Sequence, residues 1–190
     1  MKRMLTFGAG QAWFDHITGR HPAAVMDADV FADLYRAYTE AVFNYCLFRV
    51  GNRAVAEDLT ADTFERAWRS RRSFRPDRAG FNTWLFTIAR NIVTDWQRRQ
   101  ARRPLSKLSD QQPDDTPLPE AQAEAADQQA RLRSLLQTLE PPEQELIALK
   151  FGAGLTNRDI AQLEAKSETA VGSALYRIMQ KLRAKWDQTV

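Results

Sequence analysis

Between Phe74 and Arg103 the sequence reads FRPDRAGFNTWLFTIARNIVTDWQRRQARR, and it sets arginines, amides and hydroxyls at helical spacing. Thr87, Arg90, Asn91, Thr94, Asp95, Arg98 and Arg102 recur every three or four residues, so on a helix they share one face. Guanidiniums on such a face can grip phosphates in bidentate fashion, while amides and hydroxyls can meet base edges. From Arg69 to Arg103 ten arginines stand against two acids, Asp77 and Asp95, in a chain whose total charge is +3. The remainder is therefore net acidic, and the positive charge is concentrated in this stretch. A merely solvated helix face is the alternative reading of any charge run. The exclusive use of Arg, with Phe74, Phe81 and Trp84 flanking the loop as a base-stacking site requires, favours a nucleic-acid surface.

The elements that must position this face follow from the apolar pattern. Trp84, Leu85, Ile88, Ala89, Ile92 and Trp96 form an apolar stripe on the same helix, which must pack against something. Upstream, Val30, Phe31, Leu34, Tyr35, Tyr38, Val42, Tyr45 and Cys46 predict a long amphipathic helix stopped at Gly51-Asn52. A second helix from about Arg53 buries Val55, Leu59, Phe64, Ala67 and Trp68 and leaves Glu57, Asp58, Asp62 and Glu65 outside. Residues 27–68 carry eight acids against four bases. An acidic helix beside a basic one implies two different partners.

The 190 residues, 44% hydrophobic and 27% charged, fit a soluble chain of one or two small domains. No run of about twenty apolar residues occurs, and the N-terminus lacks an export pattern, so neither membrane insertion nor secretion is expected. The single cysteine, Cys46, cannot form an internal disulfide, which suits a reducing cytoplasm. His16 and His21 have no neighbouring ligands at metal-binding spacing, so no metal or cofactor is expected. No carboxylate, Cys or His cluster suggests catalysis, and Asp58 with Asp62, a helical turn apart, reads as a docking surface.

AEDLTADTFERAW followed by SFRPDRAGFNTWLFTIARNIVTDWQRRQARR resembles domain two of the extracytoplasmic-function sigma factors, promoter-recognition subunits of bacterial RNA polymerase. The likeness runs through Asp58, Leu59, Phe64, Ala67, Trp68, Phe74, Phe81, Thr83-Trp84-Leu85, Ile88-Ala89, Asn91 and Asp95. It implies that Asp58, Ala61, Asp62 and Glu65 dock on the clamp of the polymerase core. It also implies that Arg75, Phe81, Asn82, Thr87, Arg90, Asn91, Thr94, Asp95, Arg98 and Arg99 open and read the minus-ten element. The family usually has Gln-Glu where this chain has Ala61-Asp62, so a contact made by that Gln must be absent or replaced.

After Arg103 the composition turns to Asp, Gln, Pro and Ala, with a net charge of −5 from Ser106 to Ala130, which reads as a flexible acidic linker. Beyond it, Leu132, Leu135, Leu136 and Leu139 predict one helix and Leu146, Ile147 and Leu149 a second. A capped short helix begins at Thr156, and a last helix begins after Ser167 with Val171, Leu175, Ile178 and Leu182 inside. A short helix, a three-residue break and a longer helix fit a helix-turn-helix, and spacing alone fits an ordinary helical hairpin equally. LEPPEQELIALKFGAGLTNRDIAQLEAKSETAVGSALYRIMQKLR is similar to domain four of the same family, which reads the minus-thirty-five element and meets the polymerase flap. By that resemblance the DNA face is Ser167, Glu168, Thr169, Gly172, Ser173, Tyr176 and Arg177. The family's usual Thr, Lys and Arg are replaced by Ala170, Gly172 and Ala174. Two cations are missing and a helical Gly costs about 1 kcal/mol relative to Ala, so weaker or differently specified binding is expected.

The expected architecture is all-α. It comprises an N-terminal extension (1–26), a three- or four-helix domain (27–103), a linker (104–130) and a helix-turn-helix domain (131–187). The implied partners are RNA polymerase core, promoter DNA and an anti-sigma protein. A stand-alone helix-turn-helix regulator is the competing reading, but it leaves the acidic helix and the aromatic-plus-Arg loop without a purpose.

Overall fold

The computed structural model describes residues 26–102 and 120–188. The expectations for the extension, including His16 and His21, and for most of the linker lie outside these residues. Among the described residues the regular structure is helical. Helix α1 (Ala28–Val50) starts where Asp27 accepts the Val30 N–H at 2.9 Å, and it ends at Gly51. There a φ of 69° lets the Gly51 N–H reach the Leu47 carbonyl, a left-handed cap that glycine adopts without strain. Asn52 caps α2 (Arg53–Ser70) through the Val55 N–H. A short 3-10 turn (Arg71–Ser73) and the Pro/Gly loop then lead into α3 (Phe81–Ala101).

These three helices pack on one another around Leu34, Val42, Tyr45, Leu59, Phe64, Leu85 and Phe86, all nearly or wholly buried. Each large apolar side chain so buried contributes roughly 1.5–3 kcal/mol. Cys46 lies in this core, and burial pushes its thiol up to about 12, against a smaller opposing effect of a hydrogen bond with Thr60. At about pH 8, thiol reagents should leave the native chain unlabelled while the denatured chain reacts fully. Rapid labelling of the native chain would show α1 to be loosely held.

The helix leading into the second unit is longer than expected. Helix α4 spans Glu120–Gln137, so residues 120–130, read as linker, are helical. Ala, Glu and Gln are strong helix formers, and here propensity outweighs the acidic composition. Helix α5 (Pro141–Ile147) has prolines in its first turn, where no N–H is needed, and Glu143 accepts the Glu140 N–H at 2.9 Å. It continues as one π turn (Ala148–Gly152). Thr156 and Asp159 cap α6 (Asn157–Glu164) reciprocally, each accepting the other's N–H at 3.1 Å. Ala165 closes α6 in the left-handed region at φ 52°, and Ser167 caps α7 (Glu168–Asp187) through the Ala170 N–H.

The two units share one continuous core. The π turn lies against α1 and α6 lies against α3. At Gly152 the backbones come so close that a Cβ would sit 3.2 Å from the Asn44 carbonyl oxygen and 3.3 Å from the Tyr45 Cα.

Candidate nucleic-acid and polymerase interface

Helix α3 is built from the expected stripe, but more of it is covered. Leu85, Ala89 and Ile92 are buried as anticipated, Trp84, Ile88 and Trp96 are half-buried, and Phe86 and Val93 are buried as well. The polar face emerges as expected: Thr87, Asn91, Asp95, Arg98 and Arg99 are exposed, and Arg90 and Thr94 are partly so. Asp95 pairs with Arg98 at 3.7 Å, with both side chains more than half exposed, and such a pair contributes little. The guanidinium can therefore exchange that carboxylate for a phosphate at small cost.

Two members of the expected minus-ten set stand apart from this face. Phe81 is fully buried, edge-on to Tyr38 at 5.3 Å and to Phe74 at 5.8 Å, with Trp84 tilted against it at 5.6 Å. Asn82 is 3% exposed and accepts the Thr83 N–H. In this conformation both serve the core, because the first turn of α3 is clamped between α1 and the loop that precedes it. Arg75, in that loop, is exposed.

The acidic set is on the surface throughout: Asp58, Ala61, Asp62 and Glu65 are all exposed along α2. It is not wholly separate from the basic face. Asp62 and Glu65 line one cleft with Arg66, Arg69, Ile92, Asp95 and Arg99, in which Glu65 and Arg69 pair at 2.6 Å. The inner end of the acidic helix thus borders the basic helix, and a partner on one edge feels the field of the other.

In the second unit Ser167, Glu168, Thr169, Ser173, Tyr176 and Arg177 are exposed and Gly172 is half-covered. Tyr176 is 66% exposed, a large aromatic left on an open helix face. A Cβ on Gly172 would meet only the Asn157 amide nitrogen, at 3.5 Å. Internal packing therefore does not demand a glycine there, and the gap is a property of the outer face.

Sequence reasoning missed a polar bridge between the units. Tyr45, expected as a core residue, donates its hydroxyl to Glu145 Oε1 at 2.8 Å, and Arg49 Nε lies 3.1 Å from Glu145 Oε2. Arg49 also donates to Gln97 on α3. Burial drives the Tyr45 hydroxyl well above its ordinary range, and the nearby Glu145 carboxylate adds to this. Burial likewise raises the Glu145 carboxyl, against the opposing pull of Arg49 and the Tyr45 hydrogen bond. Beside this bridge, Arg90 donates to Glu164 at 2.6 Å, and the Thr83 hydroxyl meets Gln162 at 3.3 Å. Only a buried tyrosine hydroxyl needing a partner could have hinted at the bridge.

Residues 34–103 match Sigma-70 region 2, and residues 129–182 match Sigma-70, region 4. The chain belongs to the extracytoplasmic-function (ECF) family of RNA polymerase sigma factors. It is 35% identical over 159 residues to the ECF RNA polymerase sigma factor BldN of Streptomyces coelicolor, covering 82% of this chain and 60% of BldN. With the RNA polymerase sigma factor CarQ of Myxococcus xanthus it shares 32% identity over 159 residues, 82% of this chain and 88% of CarQ. Among solved structures it is similar to CnrH in complex with the cytosolic domain of CnrY: TM-score 0.68, 26% identity, 93% of this chain and 99% of that one.

Proposed function

We propose that this chain is an alternative sigma factor that joins RNA polymerase core, directs it to specific promoters and initiates transcription, with no catalytic chemistry of its own. The observation that carries this reading is the pairing, in one small unit, of an exposed acidic helix with an exposed Arg-rich helix, followed by a second unit with an open helix-turn-helix face. A stand-alone regulator needs only the last of these. In this reading Asp58, Ala61, Asp62 and Glu65 meet the polymerase clamp. Arg75, Thr87, Arg90, Asn91, Thr94, Asp95, Arg98 and Arg99 meet the minus-ten DNA, and Phe81 and Asn82 support that face from beneath. Ser167, Glu168, Thr169, Gly172, Ser173, Tyr176 and Arg177 meet the minus-thirty-five element. No described helix is long and apolar enough to cross a membrane, which agrees with work beside the chromosome in the cytoplasm. CnrH was solved with a bound protein domain, and an anti-sigma partner is proposed for this chain as well.

Reconstitution tests the reading: the purified chain with bacterial core polymerase should co-elute and give run-off transcripts from discrete genomic sites. Duplex binding without co-elution would favour the stand-alone regulator. Two substitutions refine the site. Asn91→Ala should weaken promoter opening by roughly 1–3 kcal/mol if it meets a base edge, and an unchanged open-complex yield removes it from the site. Arg98→Ala should lower affinity alike across promoter sequences and reduce the salt slope by about one, as the loss of one phosphate contact requires. A loss confined to certain sequences would make Arg98 a base reader.

A further inference from the structure

The face proposed to read the minus-thirty-five element is short of groups that can read. Of its seven residues, Arg177 is the one base and Glu168 the one acid, and position 172 offers no side chain at all. Glycine weakens a helix, and the packing around this one does not call for it. A helix in the major groove discriminates by setting donors and acceptors against base edges. A missing side chain in the middle of such a face leaves a base pair unread unless another element supplies the group.

The neighbouring helix holds such a group. A Cβ on Gly172 would meet the Asn157 amide, whose Nδ2 lies 3.5 Å from that position. Asn157 is the first residue of α6, yet the cap does not use its side chain, because Thr156 and Asp159 satisfy each other there. Its Oδ1 is buried and, among the described residues, has no hydrogen-bond partner. An enclosed amide oxygen without a donor is costly, so the side chain gains by turning towards any group that offers one. The residue is half-covered, and Gly172 contributes no side-chain atom to close the way out.

The chemistry of an amide selects what it meets. A phosphate has acceptors alone, so it would engage Nδ2 and leave Oδ1 as it is. Adenine presents the N6 amino donor beside the N7 acceptor in the major groove, and one amide takes both. Guanine offers two acceptors in that place, and cytosine a donor without an acceptor.

We infer that Asn157 is a further specificity-determining residue of the minus-thirty-five site: from α6 its amide reaches through the gap at Gly172 and pairs with the edge of one adenine. The first helix of a helix-turn-helix ordinarily crosses the DNA backbone. Here the glycine lets the leading side chain of that helix take a base-reading place that α7 leaves empty. The identity of the DNA element rests on the sigma-factor reading, whereas the contact itself needs only the helix-turn-helix.

The test is a selection. The full chain, assembled with bacterial core polymerase, is offered duplexes with a randomised upstream element and a fixed downstream element from one of its run-off promoters, and the bound DNA is sequenced. Wild type should enrich a motif with adenine at one position. Asn157→Ala should flatten that position, its preference for adenine falling at least about fivefold, while the rest of the motif stands. Asn157→Asp keeps the shape and the acceptor but loses the donor, so the preference should move from adenine to cytosine. Gly172→Leu closes the gap and should flatten the same position, and adding Asn157→Ala to it should change nothing further there. Melting by circular dichroism and co-elution with core separate a folding defect from a reading defect. An unchanged motif in Asn157→Ala overturns the inference. So does a fall in affinity alike at all positions, the mark of a phosphate contact or of a merely structural asparagine. If wild type neither co-elutes with core nor gives run-off transcripts, the sigma reading falls instead, and the same selection with the chain alone on fully random duplexes decides the role of Asn157. A chain that enriches no motif in either form overturns the inference as well.

Discussion

Phe81→Ala should destabilise the first helical unit by about 3–5 kcal/mol, a loss comparable to much of the stability of a small domain. The ring is fully buried at the first position of α3 and is enclosed by Tyr38, Phe74 and Trp84. Each of these aromatic contacts adds about 0.5–1.5 kcal/mol beyond the area buried. Removing the ring would leave a cavity between α1 and the Pro/Gly loop that neither element can collapse to fill. Urea unfolding should show a lower midpoint with an unchanged slope. Promoter activity should fall in proportion to the folded fraction and recover at lower temperature or higher protein concentration. A Phe81→Ala chain that folds with wild-type stability yet fails to open promoters would return Phe81 to the base-reading set, exposed in a conformation other than this one.

This case shows what the residues could and could not disclose. An aromatic beside an Arg-rich loop looks the same in sequence whether it stacks on a base or on three neighbouring rings. Burial decides, and burial depends on how far α1 lies from the start of α3. The helices themselves were legible, because Leu34, Val42, Leu59, Leu85 and Ile92 recur with helical period and Thr156 and Ser167 supply recognisable starts. The extra burial of Phe86 and Val93 was not. A single apolar stripe implies one covered side, and α3 is covered by α1 and α2 as well as by α6. The start of α4 was misread for a related reason, since acidic, Ala- and Gln-rich sequence satisfies both a linker and a helix. The exposed faces were predicted well because they depend only on local period: Asn91, Arg98, Asp62 and Tyr176 point outward whatever the units do.

The bridge lay furthest beyond sequence, because Tyr45 and Glu145 are one hundred residues apart and no local period links them. Its energetics nonetheless lead to a sharp expectation for Arg49→Met. Methionine fills much of the arginine volume but removes the cation that opposes the burial of Glu145, so a nearly enclosed carboxylate loses its counter-charge. Removing one partner of such a pair costs about 3–5 kcal/mol in the closed form. The chain has two ways to relieve this: the units can part and rewet the carboxylate, or the carboxylate can take up a proton. Burial already raises the Glu145 carboxyl above its ordinary value of 4.5, and losing Arg49, the largest opposing influence, raises it further. The other groups that act on it, Tyr45, Arg90 and Glu164, remain. With the carboxyl higher in the closed form than in the open or unfolded chain, the closed form binds the extra proton. Its stability is then fully present below the ordinary carboxyl value and is lost as pH rises through the raised one. Arg49→Met should therefore be closed and most stable under mildly acidic conditions and should open or melt earlier towards neutrality, a trend far weaker in wild type. The double variant Arg49→Met with Glu145→Gln, which has no carboxyl to titrate, should lose that added slope while still accepting the Tyr45 hydrogen bond. A melting profile of Arg49→Met that matches wild type at every pH would mean that Glu145 is already rewetted in solution and that the bridge holds nothing.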